Sequence, residues 1–382
     1  MAGQHALLSA SSAEKWLHCT PSARMEEKFS DTAGESAAEG TLAHELAEIK
    51  ARNYFHGMEK GSYKFAIDKI AENGLYQKDI DNYTDDYLEY LKAVEMSFSI
   101  KPYTVLEVRV DYWEYAPDGY GTVDCVMIGD NVLHIIDFKY GKTVRVDSEN
   151  NSQLKLYAIG ALNKYAILYE IDTVVLHIYQ PRMGNISQWT LSNDALLEWA
   201  EQIHPISCLA HEGKGFCVVG EWCDTHFCKA RAVCRSYISQ MDNVQPYLDR
   251  LPQELTAEEI GQALSLAENI KKWYSLIEKY VLSALLEGKQ IPGYKIVEGR
   301  SNRTFLNVEE AYSHLIGSGI DKSVLYNTVP ITLTECEKLL GKKSFTEMLE
   351  RHIVKPPGKP TVVKESDARE KYSPAASDFA GL

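Results

Sequence analysis

The chain predicts a mixed α/β fold, a central sheet flanked by helices, with a small α-rich module towards its C-terminus. Three observations predict it. Two apolar runs between Gly121 and Lys139 read as a β-hairpin. The stretch after them, Ser152 to Leu168, has helical spacing, and a further apolar strand follows at Thr173 to Gln180. Hairpin, helix and strand in that order lay helices on the faces of a sheet.

The rest of the chain is organised around this hairpin. Val123, Val126, Met127 and Ile128 form one run and Val132 to Ile136 the other, with turn residues Gly129-Asp130-Asn131 between them. Asp124 is read at the start of the first strand and Asp137 at the end of the second. Pairing the strands brings these carboxylates, with Lys139, to one end of the sheet, and Asp137 and Lys139, two apart, share a face. Two carboxylates supply hard oxygen ligands for Mg²⁺ or Mn²⁺, and a lysine beside them can orient a nucleophile or stabilise developing charge at a phosphoryl group.

Before the hairpin, residues 1 to 30 predict a short helix capped by Ser11 or Ser12, carrying Trp16 and Leu17 and ending at Thr20-Pro21, with Cys19 at the break. Glu39-Gly40-Thr41 leads into a helix with Leu42, Leu46 and Ile49 on one side and His44, Glu45 and Glu48 close by. Residues 57 to 77 read as a glycine- and polar-rich connection, and Asp79 to Ile100 as an amphipathic helix. Thr104 to Tyr112 alternates as a strand, with Leu106, Val108 and Val110 opposite Glu107 and Arg109.

After it, Tyr140 to Asn151 is a polar loop carrying Lys142 and Arg145. Gln153 and Tyr157 lie one turn apart on the next helix and can face one groove. Pro181 and Arg182 end the following strand. Cys223, Cys228 and Cys234 then form a Cys-x4-Cys-x5-Cys set, and clustered thiolates select zinc or iron–sulfur centres over hard cations. A fourth ligand is needed, and Cys19, Cys217 and His226 are the candidates. Cys125, Cys208 and Cys336 read as ordinary thiols. Polar residues and prolines from Gln240 to Pro252 mark a boundary, and Thr256 caps a long helix running through Leu286. The expected organisation is therefore a domain over 1–240, a helical or α+β module over 253–353, with Ile291–Val297 and Arg303–Leu306 as short strands, and an extended tail over 354–382.

Composition sets limits. With 382 residues, 45% hydrophobic and 25% charged, the chain is an ordinary globular protein. A formal charge of −14 argues against a generally basic coat, so any nucleic-acid contact needs a local basic lining. Lys139, Lys142, Arg145, Lys155 and Lys164 are candidates for it, with Arg182 after the last strand. No apolar run long enough to span a membrane and no secretory leader is apparent, so a cytoplasmic location is expected.

Gly121-x-x-Asp124, Asp137-Phe138-Lys139 and Gln153-x-x-x-Tyr157, preceded by Gly40-x-x-x-His44, resemble the PD-(D/E)XK nuclease superfamily, and their order is similar to its RecB-like branch. The resemblance covers roughly residues 35 to 240 and implies a restriction-endonuclease-like core. By it, His44, Asp124 and Asp137 hold one or two Mg²⁺ or Mn²⁺ ions, the Phe138 carbonyl adds a ligand, Lys139 is the catalytic lysine, and Gln153 and Tyr157 position substrate or the active-site strands. Glu107, on the strand before the Gly-x-x-Asp turn, is a secondary acidic candidate. A cysteine near the N-terminus joined to three after the core resembles the iron–sulfur branch, which implies a 4Fe-4S cluster on Cys19, Cys223, Cys228 and Cys234. The first pair departs from the Cys-x2-Cys more usual there, which leaves Zn²⁺ as the alternative. The resemblance further implies a phage-type DNA exonuclease that processes ends in replication or recombination beside a single-strand annealing protein. Two other readings are a non-cleaving DNA-binding scaffold of the same fold and a zinc-stabilised RNA-processing nuclease.

Overall fold

In the computed structural model, the described residues are 6–29, 35–239, 255–297, 307–318, 321–325, 337, 341–349 and 353. Five strands form one sheet in the order β1-β2-β3-β4-β5: Tyr103–Asp111, Tyr120–Gly129, Val132–Phe138, Thr173–Gln180 and Asn185–Ser192. β3 and β4 are parallel, and the other neighbours are antiparallel. The sheet is therefore mixed, and helices cover both of its faces.

Local chemistry explains the elements. Gly129 pairs with Val132 across a two-residue turn in which Asp130 and Asn131 both adopt positive φ, 51° and 59°. This is the twist a tight hairpin demands, and Asp and Asn tolerate it best after Gly. α6 (Ser152–Tyr165) starts where the Asn151 side chain accepts the Leu154 N–H at 3.1 Å, and it crosses over to connect the parallel strands β3 and β4.

One face of the sheet is covered by α3 (Glu35–Phe55) and α5 (Lys78–Met96), with α4 (Lys60–Ala71) packed against α3. Leu42, Leu46, Ile80, Tyr87 and Leu91 meet Leu106, Cys125, Met127, Ile136 and Phe138 there. The opposite face is covered by α6 and by α7 (Asn193–Glu212), where Leu154, Ile159, Leu196 and Ile203 meet Val108, Val110, Val123, Val126 and Ile135. The stretch expected to be a polar connection at 57–77 thus contains a helix. Asp124 lies inside β2 rather than at its start.

The N-terminal helices α1 (Ala13–His18) and α2 (Ser22–Glu26) pack on α7. Arg24 Nε donates to the His211 carbonyl at 2.6 Å, and Thr20 Oγ1 to that of Lys214 at 2.5 Å. These bonds tie the start of the chain to the segment that follows the sheet. That segment contains α8 (Trp222–Thr225) and α9 (Arg235–Ser239), and Trp273 of α10 (Ala257–Leu286) donates its indole N–H to the Ala232 carbonyl at 3.1 Å.

The chain divides into two compact units, 1–296 and 297–382. The long helix α10 belongs to the first, although the sequence suggested it would open the second module. The second contains α11 (Val308–Gly317), α12 (Lys322–Leu325) and α13 (Lys342–Leu349). No strand forms over 291–297. Residues 303–306, Cys336 and the expected tail 354–382 lie outside the described residues. No described helix is long and apolar enough to cross a membrane.

Candidate metal centre and active site

An irregularity in the sheet builds the site. The β1–β2 register is the same from Tyr103↔Ile128 to Leu106↔Cys125 and from Val108↔Val123 to Asp111↔Tyr120, but the intervening pair, Glu107 and Asp124, is unmade. Glu107 has φ 47°, a region that non-glycine residues rarely occupy. The alternation changes phase there. Leu106 faces α3 and α5, whereas Val108 and Val110 face α6. Cys125 and Val123 divide between the faces in the same way. Regular alternation would have placed Leu106, Val108 and Val110 together with Glu107 opposite them, as the sequence suggested. The break instead brings Glu107 and Asp124 towards α3.

There they meet His44. One ligand atom from each of His44, Glu107 and Asp124 lies within 4.8 Å of the other two. His44 Nδ1 is 3.3 Å from Asp124 Oδ1, and the His44 ring stands edge-on to Phe138 at 5.2 Å. Asp124 Oδ2 accepts the Phe138 backbone N–H at 2.7 Å, which fixes the carboxylate between the two strands. Glu48, one helical turn beyond His44, lines the same small cavity.

The other half of the site faces α6. Lys139 Nζ is 3.0 Å from Asp137 Oδ2 and donates to Gln153 Oε1 at 3.0 Å. Gln153 Nε2 in turn donates to Asp137 Oδ1 at 3.2 Å and to the Tyr157 hydroxyl at 3.0 Å. Tyr157 explains the glycine of Gly-x-x-Asp, because a Cβ at Gly121 would fall 2.5 Å from its ring. Asp137 is 3% exposed, and its Oδ2 accepts no well-formed hydrogen bond. The Lys139 ammonium is the cation that meets the charge of this buried oxygen.

The electrostatics match a site arranged around positive charge. Burial, aided by the Asp124 carboxylate, pushes Glu107 up to about 8. Burial works to lower His44, but the charge and hydrogen bond of Asp124, with Asp137 behind it, raise it to about 9. Burial also opposes ionisation of Asp124, yet His44, the Phe138 N–H and Lys139 hold it below the usual carboxylate range. Asp137 is raised by burial despite Lys139. A nitrogen and two carboxylates converging in this way are a donor set suited to Mg²⁺ or Mn²⁺.

Among the expected DNA contacts, Lys142 and Arg145 are exposed on the loop after β3. Lys155 is not: it is 5% exposed, with its ammonium 4.8 Å and 5.1 Å from the rings of Trp199 and Trp189 and donating to Asn150 Oδ1 at 3.1 Å. It is a packing cation under the sheet rather than part of a basic lining. Arg182 is paired with Glu39 at 3.0 Å and lies over the Tyr140 ring at 4.6 Å, tying α3 to the end of β4.

Cys19, Cys223, Cys228 and Cys234 line one cavity with Met25 and Val218. Cys217 borders it, interacting with Cys19 and Cys234 and lying 3.5 Å from Met25 Sδ. His226, the other alternative ligand, is exposed and does not line the cavity. Among the described residues no three of these sulfurs lie within 4.8 Å of one another. Four thiolates 2.3 Å from one zinc would be separated by about 3.8 Å. Burial pushes Cys228 up to about 12 and Cys217 up to about 11, so both are thiols at neutral pH until a metal takes their protons.

A family model described as "Protein of unknown function (DUF2800)" matches residues 5–370. The chain belongs to the DUF2800 family. Among solved structures, this DUF2800 chain is similar to the crystal structure of SSO0001, with 14% identity over 57% of this chain and 95% of that one and a TM-score of 0.24.

Proposed function

We propose that this protein is a divalent-metal-dependent DNA nuclease of the PD-(D/E)XK type. The observation that carries the reading is the convergence of His44, Glu107 and Asp124 within 4.8 Å, from a helix and two strands, beside the Asp137–Lys139–Gln153 network. A Mg²⁺ or Mn²⁺ ion held by His44, Glu107 and Asp124, with Asp137 adjoining, would lower the pKa of a bound water and neutralise charge on a phosphoryl group.

The chain's own groups do the rest. Lys139 is held between a carboxylate and an amide, so its ammonium has a fixed position from which to stabilise charge developing on phosphate oxygens. Gln153 couples that position to Tyr157 and hence to the Gly121 end of β2. The Phe138 N–H keeps Asp124 oriented, and the Phe138 carbonyl is the further ligand that the motif suggests.

Cys19, Cys223, Cys228 and Cys234 line one cavity, which supports a shared metal centre, and the motif resemblance is what favours an iron–sulfur cluster over a single zinc ion there. Cys19 lies on the N-terminal segment that already bonds to residues 211 and 214, so a cluster there would staple the two ends of the nuclease domain. Action at DNA ends, in phage replication or recombination with an annealing partner, follows from the motif resemblance. It is tested by incubating end-labelled linear and covalently closed circular DNA with Mn²⁺. Degradation of the linear form alone supports an exonuclease, equal cutting of both makes the enzyme an endonuclease, and cleavage of neither removes the nuclease reading.

A further inference from the structure

A cavity of about 640 Å³ lies between the cysteine segment and the C-terminal half of α10, apart from the site described above. Its character differs from that of the chain as a whole. The net charge is −14, yet Lys28 and Lys279 stand around this cavity, and among the described residues that line it the one carboxylate, Glu287, is paired with Lys289 at 2.8 Å. Between these ammonium groups lie three rings. Phe29 and Tyr280 are 5.9 Å apart and tilted, and Phe227 is 66% exposed. Phe227 also has φ 49°, so the backbone holds a large apolar side chain outwards in a conformation that phenylalanine does not favour.

Phe227 and Cys228 both line the cavity, so it adjoins the cysteine segment.

We infer that this cavity binds single-stranded DNA, with bases stacked on Phe227, Phe29 and Tyr280 and phosphates neutralised by Lys28 and Lys279. Rings that accept any base beside cations that follow a phosphate backbone are the combination that binds single strands without sequence preference. Charge complementarity favours this occupant, since the lysines surround apolar rings instead of the donor and acceptor pattern that reads a duplex groove. The inference deepens the nuclease reading by placing the single strand and rests on it for the choice of nucleic acid.

The test uses the full chain carrying Lys139→Ala, so that DNA is not consumed, and fluorescence anisotropy with a labelled oligo-dT. Phe227→Ala and Lys279→Glu change exposed side chains and are each expected to weaken binding at least about 5-fold, the equivalent of losing one stacked base. Bromodeoxyuridine photo-crosslinks are expected on peptides containing Phe227 or Tyr280. Unchanged affinity in both variants, crosslinks confined to other segments, or displacement of nothing by oligo-dT while an acidic peptide binds the cavity would each overturn the inference. The two readings fail separately. If the wild type cuts no DNA with Mn²⁺ but oligo-dT binding still depends on Phe227, the nuclease reading falls and the single-strand site stands. If it cuts DNA and Phe227→Ala binds as before, the reverse holds.

Discussion

Glu107 and Asp124 face each other across β1 and β2 at the one unmade pair in an otherwise continuous register, and this break turns both carboxylates towards His44. The left-handed backbone of Glu107 and the partial burial of three ionisable groups are local costs that a bound cation would offset.

Metal binding should therefore release protons. Glu107, raised to about 8, and His44, raised to about 9, are largely protonated at pH 7 without metal and must lose those protons to coordinate. Apparent Mn²⁺ affinity is expected to rise from pH 6 to pH 8 as Glu107 becomes easier to deprotonate. Isothermal titration in two buffers of different ionisation enthalpy counts the protons. Glu107→Gln should weaken Mn²⁺ binding at least about 10-fold and reduce the number released. Affinity independent of pH over this range would remove Glu107 from the ligand set.

Lys139 and Gln153 should separate kinetically. Removing the ammonium in Lys139→Ala is expected to lower kcat by about 10²- to 10⁴-fold with little change in KM, as for a group acting on transition-state charge. Gln153→Ala leaves the ammonium in place but frees it from its tether, so a fall of about 10- to 100-fold is expected. Equal losses in the two variants would mean that Lys139 acts only through the network.

The cysteine cavity makes a chemical prediction. Purified without oxygen, the protein should carry iron and sulfide and absorb visible light, and Cys19→Ser or Cys223→Ser should lose both with a fall in Tm. Stoichiometric zinc without iron would favour the alternative centre. Cys217→Ser separates a ligand from a neighbour, because it should leave the metal content unchanged if Cys19 is the fourth ligand.

Away from the site, His134 Nδ1 and His177 Nε2 are 2.9 Å apart, and His177 Nδ1 is 2.8 Å from the Tyr90 hydroxyl. Burial drives His177 down to about 3 and His134 to about 4. Their folded values lie below the unfolded one, so the unfolded chain takes up protons first as pH falls. Stability is intact above about pH 6.5 and lost progressively below it, by about 3 kcal/mol for His177 between pH 7 and pH 4. Denaturant melts of wild type and His177→Gln across this range should show a shallower acid loss in the variant. Parallel pH profiles would contradict the assignment.

Much of the fold was legible because local signals and burial agreed. The hairpin turn, the start of α6 at Ser152 and the strand β4 over Thr173–Gln180 all follow from residues near one another in the chain. The helix at Lys60–Ala71 was hidden by Gly57, Gly61 and Gly74, which read as a connection until α3 gave the helix a surface to pack on. His44, Asp124, Asp137, Lys139, Gln153 and Tyr157 could be named from their order. The placement of Glu107 could not, because its neighbours alternate without interruption in sequence and the change of phase depends on β2 breaking at the same point. Lys155 misled for a similar reason: nothing nearby in the chain announces Trp189 and Trp199, which enclose it.

The most direct measurement is Mn²⁺-dependent hydrolysis of end-labelled linear DNA by wild type, Asp124→Ala and Glu107→Gln, with folding of each checked by circular dichroism. The wild type is expected to release labelled nucleotides, Asp124→Ala to be at least about 10³-fold slower, and Glu107→Gln to fall between them. No release by the folded wild type, or variants that cut as fast as it does, would contradict the proposed function.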